Sequence, residues 1–182
     1  MKQKENKPYY KAAKNIFSQI KSGSDRTSQS KLKFIWKKIK NYFLATLAYN
    51  CPINSLRIKF HRWRGVTIGK NVLIGLRVTL DHSYPEYIYI EDDVSLAGNN
   101  YVLAHSNPYP HFKDVLPSFV APVVLKRGCW LGIGTTIMPG VNIGDESVIA
   151  TGSVVTKNVD SRTLVAGVPA RFIKDININL DK

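Results

Sequence analysis

The sequence predicts an all-β solenoid, a stack of three-sided coils built from short strands, preceded by a basic arm. Three observations predict it. From Leu125 an aliphatic residue recurs at every sixth position, through Leu131, Ile137, Ile143, Ile149 and Val155. Four places after each comes a small or β-branched residue, namely Cys129, Thr135, Val141, Ser147, Ser153 and Val159, with Gly or Pro recurring between them. Charge is split as well: residues 1–64 hold 16 Lys and Arg against 2 Asp and Glu, whereas residues 65–182 hold 10 against 11. A period of six matches neither the 3.6-residue helix nor the alternation of a long strand, but it suits short strands parted by tight turns.

Residues 1–30 are rich in Lys, Ser, Gln and Asn, include the stretch KSGSDRTSQS, and have the composition of a flexible basic tail. In residues 31–64, Leu32, Ile35, Trp36, Ile39, Tyr42, Phe43 and Leu47 recur at helical spacing among Lys31, Lys33, Lys37, Lys38 and Lys40. That is the pattern of an amphipathic basic helical arm. Its apolar side has two destinations, packing on the solenoid end or a neighbouring subunit, or docking on an anionic membrane face. Residues 65–174 form the body. Ile68, Ile74 and Leu80 make one triplet of hexads and Ile90, Leu96 and Val102 a second, with Val72, Val78 and Val94 in the small or β-branched slot. Two more triplets run without a break from Leu125, giving four coils stacked at the strand spacing of about 4.8 Å. Extra residues fall only between triplets one and two and between two and three, so both insertions leave from the same corner. The larger is the loop 105–122. Residues 175–182 are a short C-terminal tail.

Composition narrows the function classes. The chain has 182 residues, 44% hydrophobic and 21% charged, enough for one sizeable core. Its net charge of +13 first suggests phosphate contact, but the excess lies wholly in residues 1–64, so no nucleic-acid partner is expected. Cys51 and Cys129 are 78 residues apart, match no metal-binding spacing and cannot staple a domain of this size. The apolar run Tyr42–Tyr49 has eight residues, where a bilayer span needs about 20. A cytoplasmic protein is expected, with membrane contact limited to its periphery.

The repeat, together with PVVLKRGCWLGIGTTIMPGVNIGDESVIATGSVVTKNVDSRTLVAGVPARFIK from Pro122 to Lys174, resembles the hexapeptide-repeat acyltransferases. The likeness covers about residues 65–174 and points to the xenobiotic, galactoside and maltose acetyltransferase group and to sugar O-acetyltransferases of surface-polysaccharide synthesis. It implies a left-handed parallel β-helix, acetyl-CoA as acyl donor, a sugar or glycan acceptor and a homotrimer with sites shared between subunits. The handedness comes from the resemblance, since it departs from the usual rule for parallel connections.

Acyl transfer to a hydroxyl needs a general base beside the attacking oxygen. His105, at the start of the long insertion, stands where the resembling families carry that base. Stacking sets Asp81 and His82 one rung from the segment 103–105, so Asp81 is expected to orient the imidazole. LDHSYPEYIYI resembles the Asp-x-x-Tyr-Pro-Glu stretch of polysaccharide acetyltransferases, with His82 replacing a more usual uncharged residue, and implies an acceptor site at His82, Tyr84 and Glu86. His82 has a rival role as the base, by resemblance to the serine acetyltransferases. In the resembling enzymes, coenzyme A is contacted at the positions of Gly132, Ile133, Thr151, Thr156, Lys157, Arg171 and Lys174. Ile133 and Thr151 depart from the smaller residues common there. His105, His111 and His82 also raise a γ-carbonic-anhydrase-like zinc site, but their spacing differs from that family's, and no metal is expected. His61 is assigned to the basic arm and Trp130 to packing or an interface, with a wall of the acyl pocket as its alternative role. An antibiotic or serine-type acetyltransferase and a non-catalytic scaffold binding membrane or nucleic acid remain as rivals.

Overall fold

The computed structural model describes residues 31–108, 115 and 118–177. The notions of a flexible tail at 1–30 and a zinc ligand at His111 lie outside the described residues. Among the described residues two helices, α1 (Lys31–Asn50) and α2 (Asn54–Arg64), precede the strands. The strands line three sides of a prism. Side one holds β1 (Thr67–Ile68), β4 (Ile88–Ile90), β9 (Val123–Leu125) and β12 (Asn142–Ile143). Side two holds β2 (Leu73–Ile74), β5 (Ser95–Leu96), β10 (Trp130–Leu131) and β13 (Val148–Ile149), then β15 (Thr163–Gly167) and β16 (Ala170–Asp175). Side three holds β3 (Thr79–Leu80), β6 (Tyr101–Val102), β11 (Thr136–Ile137) and β14 (Val154–Val155).

The register follows the hexads. Ile68, Ile90, Leu125 and Ile143 pair in sequence along side one. Ile74, Leu96, Leu131, Ile149 and Val165 do so along side two, and Leu80, Val102, Ile137 and Val155 along side three. These aliphatic columns form one continuous buried core. The slot four residues later is buried too, from Cys129 and Thr135 to Ser147 and Ser153. The intervening corner residue takes a left-handed conformation at Asn71, Asp93, Asn99, Gly128, Gly134 and Gly152, where Gly, Asn and Asp carry the smallest penalty. Both insertions leave side three for side one. The first contains a 3-10 turn at Pro85–Tyr87, and the second is closed at its base by antiparallel β7 (His105–Ser106) and β8 (Phe119–Val120).

The ends of a solenoid expose unpaired strand edges, which must be covered. Here α2 covers the first coil with polar side chains. Arg62 donates to the carbonyls of Ile68 (2.9 Å) and Gly69 (2.8 Å) on side one. Arg57 donates to Ile74 (2.8 Å) on side two, and Arg64 to Leu80 (3.0 Å) and Asp81 (2.6 Å) on side three. Asn54 accepts from the Ile74 amide and donates to the Val72 carbonyl, each at 3.0 Å. Two of the arm's arginines are thus turned inward, Arg57 and Arg64, both buried with His61. In α1 the side that packs within the chain is the one carrying small residues. The large apolar residues Ile35, Trp36, Ile39, Tyr42 and Phe43 are exposed, while Asn41, Ala45 and Ala48 are buried. Short side chains let α1 approach α2 and β3 closely, so within this chain the apolar side does not pack on the solenoid end.

Candidate active site

Asp81 follows β3 and Ala104 and His105 follow β6, neighbouring strands of side three. The Asp81 carboxylate is buried, and both oxygens are engaged. One accepts from the Ser83 amide (2.8 Å) and the Tyr84 amide (3.0 Å), and the other from the Ala104 amide (2.8 Å). The second oxygen also lies 2.5 Å from Nδ1 of His105. Burial works to raise the Asp81 pKa, but the His105 hydrogen bond and the Tyr84 and Ala104 amides outweigh it and hold the carboxyl below the ordinary carboxylate range. A carboxylate on Nδ1 sets the tautomer with hydrogen there and leaves Nε2 with its lone pair. His105 is partly exposed, and the Tyr84 ring lies 5.3 Å away, centroid to centroid.

The pair is braced from below by residues that charge counting had merged into the arm. Arg64 reaches the Asp81 carbonyl and also donates to Nδ1 of His61 at 3.0 Å. Burial first, and Arg64 second, push His61 down to about 3, so it is a neutral acceptor. Burial pulls the Arg64 guanidinium down to about 10, with Asp81 opposing, and it stays charged at neutral pH. Helical spacing gave no hint of this inward role. The only sequence signal is the position of Arg64 immediately before Gly65, where α2 ends in a left-handed turn. His82 is exposed, and partial desolvation, then Arg64, lower its pKa. Glu86 accepts from Lys37 Nζ at 2.7 Å, linking α1 to the first insertion.

The other candidates are spread over the prism. Gly132 and Ile133 lie on the corner from side two to side three, and Thr151 stacks above them, with the Gly152 amide bonded to the Ile133 carbonyl at 2.9 Å. Thr156 and Lys157 follow β14 on the corner that bears His105, two coils further along, and both are exposed. Arg171 and Lys174 are exposed on β16. The chain therefore brings Asp81, Tyr84 and His105 together, with His82 adjacent in sequence, and keeps Gly132, Ile133 and Thr151 on a different corner. Gly132 makes room for its own chain, since a Cβ there would stand 2.7 Å from the Thr151 amide nitrogen. At Gly134 and Gly152 nothing among the described residues lies within 4 Å of such an atom, so that corner presents open backbone. Asn100, which sequence reasoning passed over, steadies it by donating to the Gly132 carbonyl (2.6 Å) and to Thr135 Oγ1 (2.7 Å). Burial pushes the Cys129 thiol up, away from the nucleophilic thiolate. Among the described residues, no group of three His, Cys, Asp or Glu side chains is placed to hold a metal ion.

Residues 122–157 match a family model described as bacterial transferase hexapeptide (six repeats), and residues 65–104 one described as hexapeptide repeat of succinyl-transferase. The chain is 32% identical over 140 residues to the galactoside O-acetyltransferase of Escherichia coli K12, covering 76% of this chain and 67% of that protein. The chain belongs to the hexapeptide-repeat acetyltransferases. The acetyltransferase also shares 30% identity over 140 residues with a putative colanic acid biosynthesis acetyltransferase of Escherichia coli K12, covering 63% of this chain and 76% of the relative. Its fold superposes on a maltose O-acetyltransferase from Clostridium difficile 630 with a TM-score of 0.64 and 26% identity, covering 82% and 90% of the two chains. A galactoside acetyltransferase in complex with coenzyme A gives a TM-score of 0.60 at 23% identity, covering 89% and 91%. The coils of this acetyltransferase are those of the left-handed parallel β-helix.

Proposed function

We propose that this enzyme transfers an acetyl group from acetyl-CoA to a hydroxyl of a sugar, in surface-polysaccharide or lipid-linked glycan synthesis, with His105 as general base. The observation that carries the reading is the contact between the buried, fully hydrogen-bonded Asp81 carboxylate and Nδ1 of a partly exposed His105. Nε2 of His105 takes the proton of the acceptor hydroxyl as that oxygen attacks the thioester carbonyl, and the imidazolium returns it to the departing thiolate. Asp81 holds the ring and stabilises its transient charge. Among the described residues no carboxylate is hydrogen-bonded to His82, which favours His105 over it as base. Tyr84, Glu86 and His82 border the acceptor side.

The donor is expected on the open corner at Gly134 and Gly152, flanked by Ile133 and Thr151, with Thr156 beside Lys157. Exposed Lys157, Arg171 and Lys174 suit its phosphates. The family resemblance and the separation of His105 from the Gly132 corner within one chain support a homotrimer in which adjacent subunits complete each site. The acceptor class rests on the galactoside and colanic acid relatives. The reading is tested by assaying acetyl-CoA turnover against a panel of sugars. His105→Ala is expected to lower kcat about 10²- to 10⁴-fold with little change in KM for acetyl-CoA, and full activity in that variant would overturn it.

A further inference from the structure

Helix α1 has two unlike faces. Asn41, Ala45 and Ala48 are buried on one, while Ile35, Trp36, Ile39, Tyr42 and Phe43 are 51%, 70%, 54%, 71% and 61% exposed on the other. At about 100° per residue these five share one stripe, and Lys38 and Lys40, both exposed, fall on its opposite borders. We propose that this stripe docks the enzyme onto an anionic membrane surface. An aromatic-rich apolar stripe bordered by lysines is the arrangement of a helix lying in the bilayer interface, with rings among the headgroups and ammonium groups at the phosphates. No described helix is long and apolar enough to cross a membrane.

Charge selects the bilayer over a second copy. Residues 1–64 carry 16 basic against 2 acidic side chains, and the remaining residues carry 10 against 11. A second copy thus offers no acidic excess to receive the arm, and two arms brought together repel. Anionic headgroups supply the opposite charge. The ion pair of Lys37 with Glu86 ties the docking helix to the insertion that borders His105. The docking itself does not depend on the role of His105.

The test is co-sedimentation of the full chain with vesicles of phosphatidylcholine alone and of phosphatidylcholine with about one third phosphatidylglycerol. Binding is expected on the anionic vesicles, at least roughly tenfold weaker on the neutral ones, and weakening as salt rises. The triple variant Trp36→Ser, Tyr42→Ser, Phe43→Ser and the double variant Lys38→Glu, Lys40→Glu are each expected to lose about tenfold or more of that binding. Both should keep the wild-type mass in light scattering and turnover of a soluble sugar. Absence of binding by the wild type overturns the proposal. So does a triple variant that falls apart into smaller species, since the stripe would then be an interface between copies.

Discussion

Asp81 combines burial with a depressed pKa, and that combination makes its contribution depend on pH. The native carboxyl gives up its proton more readily than the unfolded chain does. Its stabilisation is therefore fully present above the unfolded value of about 3.9 and disappears as pH falls through the lower folded value. Asp81→Asn is expected to cost about 1–3 kcal/mol near neutrality, because buried amides lose a charged acceptor. Urea titration should show the gap between the two proteins closing in acid, and a gap that persists unchanged there would contradict the assignment. Arg64 acts one step further out, on the carbonyls of Leu80 and Asp81. Arg64→Met should lower kcat by roughly tenfold through a displaced Asp81, leave KM for acetyl-CoA nearly unchanged, and be partly rescued by Arg64→Lys. Equal activity in Met and Lys variants would reduce Arg64 to an end cap.

The hexad is the element that sets local geometry, and its glycines do two different jobs. Gly132 sits where the next coil passes, and an added methyl meets the backbone of Thr151. Gly134 is a left-handed corner with φ +70 and open space around it. Gly132→Ala is therefore expected to destabilise the fold by about 1–3 kcal/mol through overpacking, and Gly134→Ala by roughly 1–2 kcal/mol through backbone strain alone. Thermal melts separate stability from function: Gly134→Ala should still bind coenzyme A in calorimetry if only the conformation matters, and abolished binding would show that its methyl blocks the donor. The hexad spacing was fully legible in the chain, because a period of six allows only one way of turning aliphatic residues inward. The partner surface of α1 was not legible, because periodicity locates a stripe without saying whether large or small residues meet the neighbouring helix.

At the scale of the molecule, His105 and the Gly132 corner lie on different edges of one prism, and the proposed trimer joins them. Mixing inactive His105→Ala chains with chains inactivated on the Gly132 corner by Ile133→Asp and Thr151→Asp is expected to restore roughly a quarter of wild-type activity, the statistical share of sites drawing two intact halves. No recovery after co-refolding would confine each site to one chain. The sequence by itself determined the coil count, the register of the hexads from Ile68 to Val155, the corner from which both insertions leave and the rung that sets Asp81 beside His105. All of these follow from a repeat in which each residue's neighbour is fixed by counting. Counting did not determine the register of Val159 and Val165, which pair with Ile143 and Ile149. Only the tertiary structure decided what Arg57, His61, Arg62 and Arg64 do. The open end of a solenoid needs donors for its unpaired carbonyls, and that need arises from the stacking of coils and leaves no mark on the spacing of the helix that meets it.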